Sequence, residues 1–380
     1  MNLRRVLILA DESADWMVAG LRQLDRLVLS IDEFAVGNNE RTPVLVCIFW
    51  RPDLDQVQRW VPTNPRLTKV SFTTQPDSEP YDLVLNTRLF LYRNAIRQLL
   101  AQAAPQPKQE TLSWEGWLKA AQLLEPFHTG AWEQMASGEQ IDDIERRFLR
   151  GSGKSQDGFV SRYLNRPISR AVTRLLLQFH ATPNGWTWLI FPIPVLAALI
   201  LSQGTYWSFV WGLVLFQVFS VLDGCDGEIA RATFTESERG RRLDDLFDVL
   251  SNILLVLGLG AGLRYGHPRF GWILLVEGII AAGLIALNEW ILANPKPVAV
   301  TESKVDSLAG ALYPRHRDLV ARSGLLRFGE KFASLVIQLT KRDVAVLFFV
   351  FLAVIGLPAL ILHLVFVVTA VTLALALRAR

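Results

Sequence analysis

Residues 223–248 read DGCDGEIARATFTESERGRRLDDLFD and set four of their acids in two pairs between apolar runs long enough to cross a bilayer. Asp223 and Asp226 are three residues apart, and Asp244 and Asp248 are four apart. On a helix, neighbours at these spacings share a face. Two adjacent helices that turn such faces toward each other bring four carboxylates to one point. A single acid at a bilayer centre costs roughly 2.5–3.5 kcal/mol on insertion scales. Four acids therefore call for divalent cations, a watery cleft, or both.

The 380 residues are 51% hydrophobic, with an ordinary apolar content up to about residue 183 and a concentrated one afterwards. That pattern predicts a soluble domain followed by a membrane domain. A helix needs about 20 apolar residues to cross about 30 Å of hydrocarbon. Six stretches qualify as candidate spans: 185–203, 205–222, 247–264, 270–293, 342–357 and 359–377. The last two share the turn Gly356-Leu357-Pro358 and are expected to form a hairpin.

Net charge is only +3, which gives no case for nucleic acid. The clusters of charge carry more information than the total. Arg231, Arg239, Arg241 and Arg242 lie in the 223–246 connection, and Lys304, Lys331, Lys341 and Arg342 are among the cations of 294–342. The opposite side carries only Arg264 and Arg269. The excess of cations on one side predicts a multi-pass protein of the plasma (inner) membrane, with the first domain and the acids in the cytoplasm. Two distant cysteines, Cys47 and Cys225, make neither a disulfide framework nor a zinc site. The N-terminus meets acids directly after a short apolar run and is not expected to be a signal peptide.

Within residues 1–105, the runs 6–9, 44–50, 69–74 and 82–86 read as strands, three of them nearly continuous in apolar residues as buried parallel strands are. Residues 17–34, 54–61 and 90–103 read as helices between them, which predicts a layered α/β domain. Its element order resembles the Rossmann-like nucleotidyltransferase fold of sugar-phosphate cytidylyltransferases. That family carries a Gly-rich basic loop after the first strand, whereas this chain has ADESADWMVAG. The family's metal-binding aspartate after a later strand is replaced by Asn86, Thr87 and Arg88. Triphosphate binding needs convergent N–H donors or cations, and magnesium needs carboxylates. The resemblance with these departures implies a degenerate domain that docks or regulates.

Residues 106–158 are expected to form a helical connector, which begins within the linker-like APQPKQE of 104–110 and ends in GSGKSQDG. Its Trp114 and Trp117, with Trp132, face either the first domain or the membrane surface. In 159–180, Arg162, Arg166, Arg170 and Arg174 recur every four residues, so they form a basic stripe suited to a helix in the headgroup layer. Gly258 and Gly262 permit close helix contact, within the bundle first and at a dimer seam second. Glu277 is a lone acid within a span, read as a packing or dimer group. His363, with no partner visible in the sequence, is read as a satisfied polar residue.

The acidic stretch also carries a family signature. Asp223-x2-Asp226-Gly227-x2-Ala230-Arg231-x8-Gly240-x3-Asp244-x3-Asp248 resembles the motif of CDP-alcohol phosphotransferases, with every fixed position present. The resemblance covers residues 159–380 and implies a six-helix transmembrane domain. It further implies transfer of a substituted phosphate from a CDP-alcohol donor to a hydroxyl acceptor, with release of CMP. Asp223, Asp226, Asp244 and Asp248 would hold two Mg2+ or Mn2+ ions, and Asp248 would take the proton of the attacking hydroxyl. Two ions can clamp the attacking and leaving oxygens of an in-line displacement. Gly227, Ala230, Arg231, Ser237 and Gly240, with Asn184 and Thr187 at the mouth of the first span, would line the CDP pocket.

The whole chain resembles the bifunctional inositol-phosphate cytidylyltransferase/di-myo-inositol-phosphate-phosphate synthases. That implies a polyol-phosphate or other hydroxyl acceptor, held by Lys304, Lys331, Lys341 or Arg342. Membrane lipids and a second copy in a homodimer are the remaining implied partners. The alternative is a non-catalytic membrane scaffold that retains the motif.

Overall fold

The computed structural model describes residues 3–38, 42–55, 59–77, 79–93, 95–102, 113–122, 130–151, 158–266, 271–293 and 341–378. Two compact units emerge: one of residues 1–151 with 232–234, the other of 152–231 with 235–380.

The first unit is built on four parallel strands, β1 (Arg5–Ala10), β4 (Val44–Trp50), β5 (Val70–Thr73) and β6 (Leu83–Asn86), in the order β5-β4-β1-β6. Val6 stands opposite Val46 on one side and Leu83 on the other. The continuous apolar run in β1 follows from having both faces covered. Val6, Ile8 and Ala10 pack with Leu24, Leu27 and Ile31 of α1 (Gln23–Gly37). Leu7 and Leu9 pack on the other face with Cys47, Tyr81, Trp114 and Trp117. Trp114 and Trp117 belong to α3 (Trp114–Gln122), so they cover the sheet. A short ladder joins β7 (Leu89–Leu91) to β8 (Trp132–Gln134), which buries Trp132 in the same unit. Helices α2 (Ala95–Gln102) and α4 (Ile141–Gly151) complete it.

All three expected helices change, the one at 90–103 to α2 alone, because Leu89–Leu91 are in β7. Residues 17–22 form a hairpin of β2 (Met17–Val18) and β3 (Leu21–Arg22), and α1 starts only at Gln23. Ala19 and Gly20 have φ of 47° and 80°, the two positive values that a tight primed turn requires. The described part of 54–61 is not helical. Instead the Arg59 guanidinium donates to the carbonyls of Pro52 and Leu54, and Trp60 packs on Trp50 at 6.4 Å between ring centroids.

The described residues of the second unit are mostly helical. A π-helical turn over Ser161–Asn165 leads into α5 (Arg166–Gln178). The expected first span is two helices, α6 (Pro183–Ile190) and α7 (Pro192–Leu201), because Pro192 and Pro194 lack the N–H that would continue the ladder. Helix α8 (Tyr206–Ala232) continues ten residues past the expected end at 222, and α9 (Glu238–Gly266) starts nine residues before the expected 247. The acidic stretch is thus mostly helix, with only 233–237 between the two. Helix α10 is Gly271–Ala293.

By length and composition, four helical stretches among the described residues are able to cross a membrane: 183–201, taking α6 and α7 together, 206–232, 238–266 and 271–291. Helix α11 (Arg342–Val354) has 13 residues and α12 (Pro358–Arg378) follows it across the Gly356 turn. At about 20 Å, α11 is shorter than the hydrocarbon layer.

The small residues of α9 serve contact inside this unit. A Cβ at Gly258 would stand 2.8 Å from the Ala198 carbonyl, and one at Gly262 2.1 Å from the Leu201 carbonyl, both on α7. On the other side, Gly260 faces the Leu274 carbonyl and Gly278 of α10. Glu277 and His363 are not lone groups: His363 Nδ1 and Glu277 Oε1 lie 2.8 Å apart and tie α10 to α12.

The arginine stripe is also corrected. Arg162 is exposed and Arg166 is buried. The π turn adds a residue to the local repeat, and the inward face becomes Asn165, Arg166, Ser169, Thr173 and Leu177. Tyr163, Leu164, Ile168 and Leu175 are left exposed.

Candidate functional site

The end of α8 carries Asp223, Asp226, Gly227, Ala230 and Arg231, while the start of α9 carries Gly240, Asp244 and Asp248. Carboxylate oxygens of Asp223, Asp244 and Asp248 lie within 4.8 Å of one another, each on a partly buried side chain. Like charges this close disfavour one another unless a cation joins them. Three convergent carboxylates are the donor set that a hard divalent cation takes.

Arg342, the first residue of α11, reaches the same cluster. Its Nη1 is 3.5 Å from Asp223 Oδ2 and in contact with Asp248 Oδ1, and its Nη2 donates to Ser251 Oγ at 3.2 Å. The guanidinium also lies 5.3 Å from the Phe219 ring centroid. Next to it, Asp343 Oδ2 accepts from the Ser161 backbone N–H at 2.5 Å. Lys341 immediately precedes α11. Lys304 and Lys331 lie outside the described residues.

Asp226 stands apart from the trio. Its Oδ2 accepts from Thr187 Oγ1 at 2.9 Å, and its Oδ1 from the Gly227 N–H at 2.5 Å. Thr187 is on α6, so the buried Asp226 ties α8 to that helix. One turn before Thr187, Asn184 meets the start of α9. A Cβ at Gly240 would lie 3.1 Å from both Asn184 Oδ1 and Ser237 Oγ. Ser237 Oγ accepts from the Gly240 N–H at 3.0 Å, an N-terminal cap for α9. Asn184, Ser237 and Gly240 therefore form one cluster. At Gly227 the space that a Cβ would take is lined by the Arg231 guanidinium, 3.0 Å away at Nη1. Ala230 is partly buried on the same helix.

Sequence reasoning missed Glu228, which occupies a variable position of the motif and is fully buried. Glu228 Oε1 accepts from Arg166 Nη1 and from Ser169 Oγ, each at 2.9 Å. Thr173 Oγ1 donates to Oε2 at 2.8 Å. The available signal was the run Arg166-x2-Ser169-x3-Thr173, a line of polar groups at helical spacing along one face of the helix.

The first unit has a polar cluster of its own at the C-terminal ends of β1 and β6, where the strand order switches and α/β folds place ligands. Asp11 Oδ1 accepts from the Ser13 N–H at 2.8 Å and Ser13 Oγ at 2.5 Å, while Oδ2 accepts from Arg88 Nε at 2.8 Å. Arg88 and Arg51 both pair with Glu12, at 2.8 and 3.0 Å. Burial pushes the Asp11 carboxyl up, but the Ser13 hydrogen bonds and the Arg88 guanidinium outweigh it and hold the group below the usual carboxylate range.

Comparison with known proteins bears on the helical unit. Residues 181–377 match the family described as CDP-alcohol phosphatidyltransferase. The bifunctional IPC transferase and DIPP synthase of Thermococcus kodakarensis is 38% identical over 118 residues, 31% of this chain and 26% of that protein. Its namesake from Rubrobacter xylanophilus is 33% identical over 205 residues, 51% of this chain and 46% of that protein. Bovine cholinephosphotransferase 1 is 25% identical over 199 residues, 46% of this chain and 45% of the bovine one. The chain thus spans from about a quarter to just under half the length of these curated relatives. The matched region takes in α6 to α12 and all four motif aspartates, and more than half of the chain lies in it: this protein belongs to the CDP-alcohol phosphatidyltransferase family.

Proposed function

We propose that the chain is a membrane transferase that moves a substituted phosphate group from a CDP-alcohol to a hydroxyl acceptor and releases CMP. The observation that carries this reading is the approach of Asp223 on α8 to Asp244 and Asp248 on α9. Asp223, Asp244 and Asp248, with Asp226 beside them, would hold Mg2+ or Mn2+, two ions in this reading. Bound there, the metal supplies positive charge against the diphosphate and its leaving oxygen. Asp248 accepts the proton of the acceptor hydroxyl as that oxygen forms its bond to the β-phosphorus. The bond from this phosphorus to the oxygen of CMP breaks in the same displacement. Asn184, Thr187, Ser237, Gly227, Ala230, Gly240 and Arg231 frame the nucleotide side of the site. Lys341 and Arg342, at the start of α11, take the acceptor's anionic group.

The membrane unit, residues 159–380, is read as a six-helix bundle, with α6 and α7 as one span and α11 and α12 as the last two. Charge bias supports a reading in which the acids lie on the cytoplasmic side of the plasma membrane. A homodimer is part of the same reading. Residues 1–105 are read as a nucleotidyltransferase-like domain without nucleotidyl transfer, joined by the connector 106–158. Supporting this, the strand-switch position is filled by internal pairs of Asp11 and Glu12 with Arg88 and Arg51. The donor is then a CDP-alcohol made elsewhere, including CDP-diacylglycerol, and a polyol phosphate is the preferred acceptor.

The test is CMP release by the purified full chain from a panel of CDP-alcohols and hydroxyl acceptors, with and without divalent metal. Metal-dependent CMP formation matched by a stoichiometric new phosphodiester supports the transferase. A folded protein that forms no such product with any pair supports the scaffold alternative. Formation of a CDP-polyol from CTP by the same protein would overturn the assignment of the first domain.

A further inference from the structure

The ion pair of Arg166 and Glu228 joins α5 to the back of the motif helix. Both side chains are at least nine-tenths buried, and Glu228 also holds the hydroxyls of Ser169 and Thr173. Above this pair, Gln217 Nε2 donates to Asn165 Oδ1 at 2.9 Å. Arg166 Nη1 also lies 3.4 Å from the Gly224 carbonyl, and a Cβ at Gly224 would stand 3.1 Å from it. The seam on α8 is therefore Gln217, Gly224 and Glu228. At about 100° per residue these three fall within about 40° of one another. On the same wheel Asp223 and Asp226 lie about 120–180° away.

The seam therefore sets the rotation of α8 about its own axis. Turning the helix breaks charged and neutral hydrogen bonds to a buried carboxylate, each costly to leave unmade. A purely apolar contact would tolerate small rotations far better. Buried polar pairs fix register in this way in other helical assemblies. We propose that Arg166 and Glu228 are positioning residues, which clamp α8 so that Asp223 meets Asp244 and Asp248. The inference rests on the metal-site reading above, and it assigns a role to two residues outside the fixed positions of the motif.

The experiment uses the detergent-solubilised full chain with Arg166→Met and Glu228→Leu combined. Replacing both partners by apolar side chains leaves no buried charge behind, so fold stability is largely kept. Binding of Mn2+ is read from the electron-paramagnetic-resonance signal of free Mn2+, and folding from thermal unfolding. We expect a near-wild-type unfolding midpoint with Mn2+ affinity weakened about 10- to 100-fold, the usual cost of losing support behind a metal ligand. Affinity within twofold of wild type in the folded double variant would overturn the clamp.

Should that variant fail to fold, Ser169→Ala with Thr173→Val keeps the ion pair and strips the hydroxyls from Glu228. Weakening of about threefold or more is then expected, and unchanged affinity again overturns the proposal. If wild type itself binds no Mn2+, the metal-site reading fails. The clamp is then judged by geometry, using Asp223→Cys with Asp244→Cys in a Cys47→Ala, Cys225→Ala background. A short thiol crosslinker should join that pair rapidly with the clamp intact and slowly without it. Equal rates would overturn the positioning role.

Discussion

The guanidinium of Arg342 touches the carboxylate of Asp248, and its Nη1 lies 3.5 Å from Asp223. A cation from α11 thus occupies two of the three acids that converge from α8 and α9. A divalent ion at these acids competes with it for the same oxygens. Arg342→Ala should therefore tighten Mn2+ binding by about tenfold, the worth of a charge-assisted pair, while CMP release falls. Lysine restores only part of the turnover, because it cannot make the forked contact to both Asp248 and Ser251. Titration of Mn2+ alongside steady-state CMP release checks both directions, and weaker metal binding in the alanine variant would contradict the competition.

Asp248 is expected to carry the proton. Asp248→Asn should lower turnover about 10²–10⁴-fold, the range for losing a general base. At saturating metal, which offsets the loss of one proposed ligand, the defect should be in kcat, with the KM for the CDP-alcohol little changed. Initial rates across donor concentrations separate the two.

Thr187 satisfies one oxygen of the buried Asp226. Thr187→Val removes that hydroxyl at nearly constant volume, and loss of its bond to the buried carboxylate costs about 1–3 kcal/mol. The expected result is a lower unfolding midpoint together with a raised KM for the donor. Thr187→Ser should return both toward wild type, since the hydroxyl is restored.

Gly227→Ala separates stability from activity. Alanine favours the helix over glycine by about 1 kcal/mol, which acts to stabilise α8. Its Cβ, however, takes space 3.0 Å from the Arg231 guanidinium. Thermal stability should be unchanged or higher, while donor affinity falls as Arg231 is displaced. A variant with wild-type kinetics would show that the gap is not used.

Acid should loosen the first unit through Asp11. Its carboxyl sits below the ordinary value of 3.8 in the fold, so its contribution is full above that value and is lost as pH falls through the lower folded one. Cleavage within residues 1–151 of the full chain should rise below about pH 4. Asp11→Asn weakens the pair with Arg88 and should make the unit more susceptible at neutral pH too, by about 1–3 kcal/mol in opening free energy.

Three of the four parallel strands were legible because a strand buried on both faces must be apolar throughout, while β5, at the partly exposed edge of the sheet, lies within the more polar run 69–74. The motif acids were legible because their spacing is helical and survives whatever surrounds it. Residues 17–22 misled because the positive φ of Ala19, a residue with high helix propensity, belongs to the hairpin and leaves no sign in composition. The arginine repeat misled for a related reason. A four-residue period assumes an unbroken α-helix, but the π turn at Ser161–Asn165 takes Arg162 off it, and Arg166 is held inward by a partner 62 residues away. Glu277 and His363 looked solitary because nothing local predicts which positions of α10 and α12 will meet. Long-range polar pairing was the part that periodicity could not supply.

The glycines of α9 bear on how the molecule can move. Backbone from α7 presses on Gly258 and Gly262, and backbone from α10 presses on Gly260. A side chain can swing aside, but a carbonyl set against a neighbouring helix cannot. A slide of α9 by a fraction of its pitch drives those carbonyls into bulkier residues on either flank. Asp244 and Asp248 ride on this hemmed-in helix, so it acts as the keel of the bundle. Motion that admits and releases substrate is then left to the parts that meet it through side chains alone.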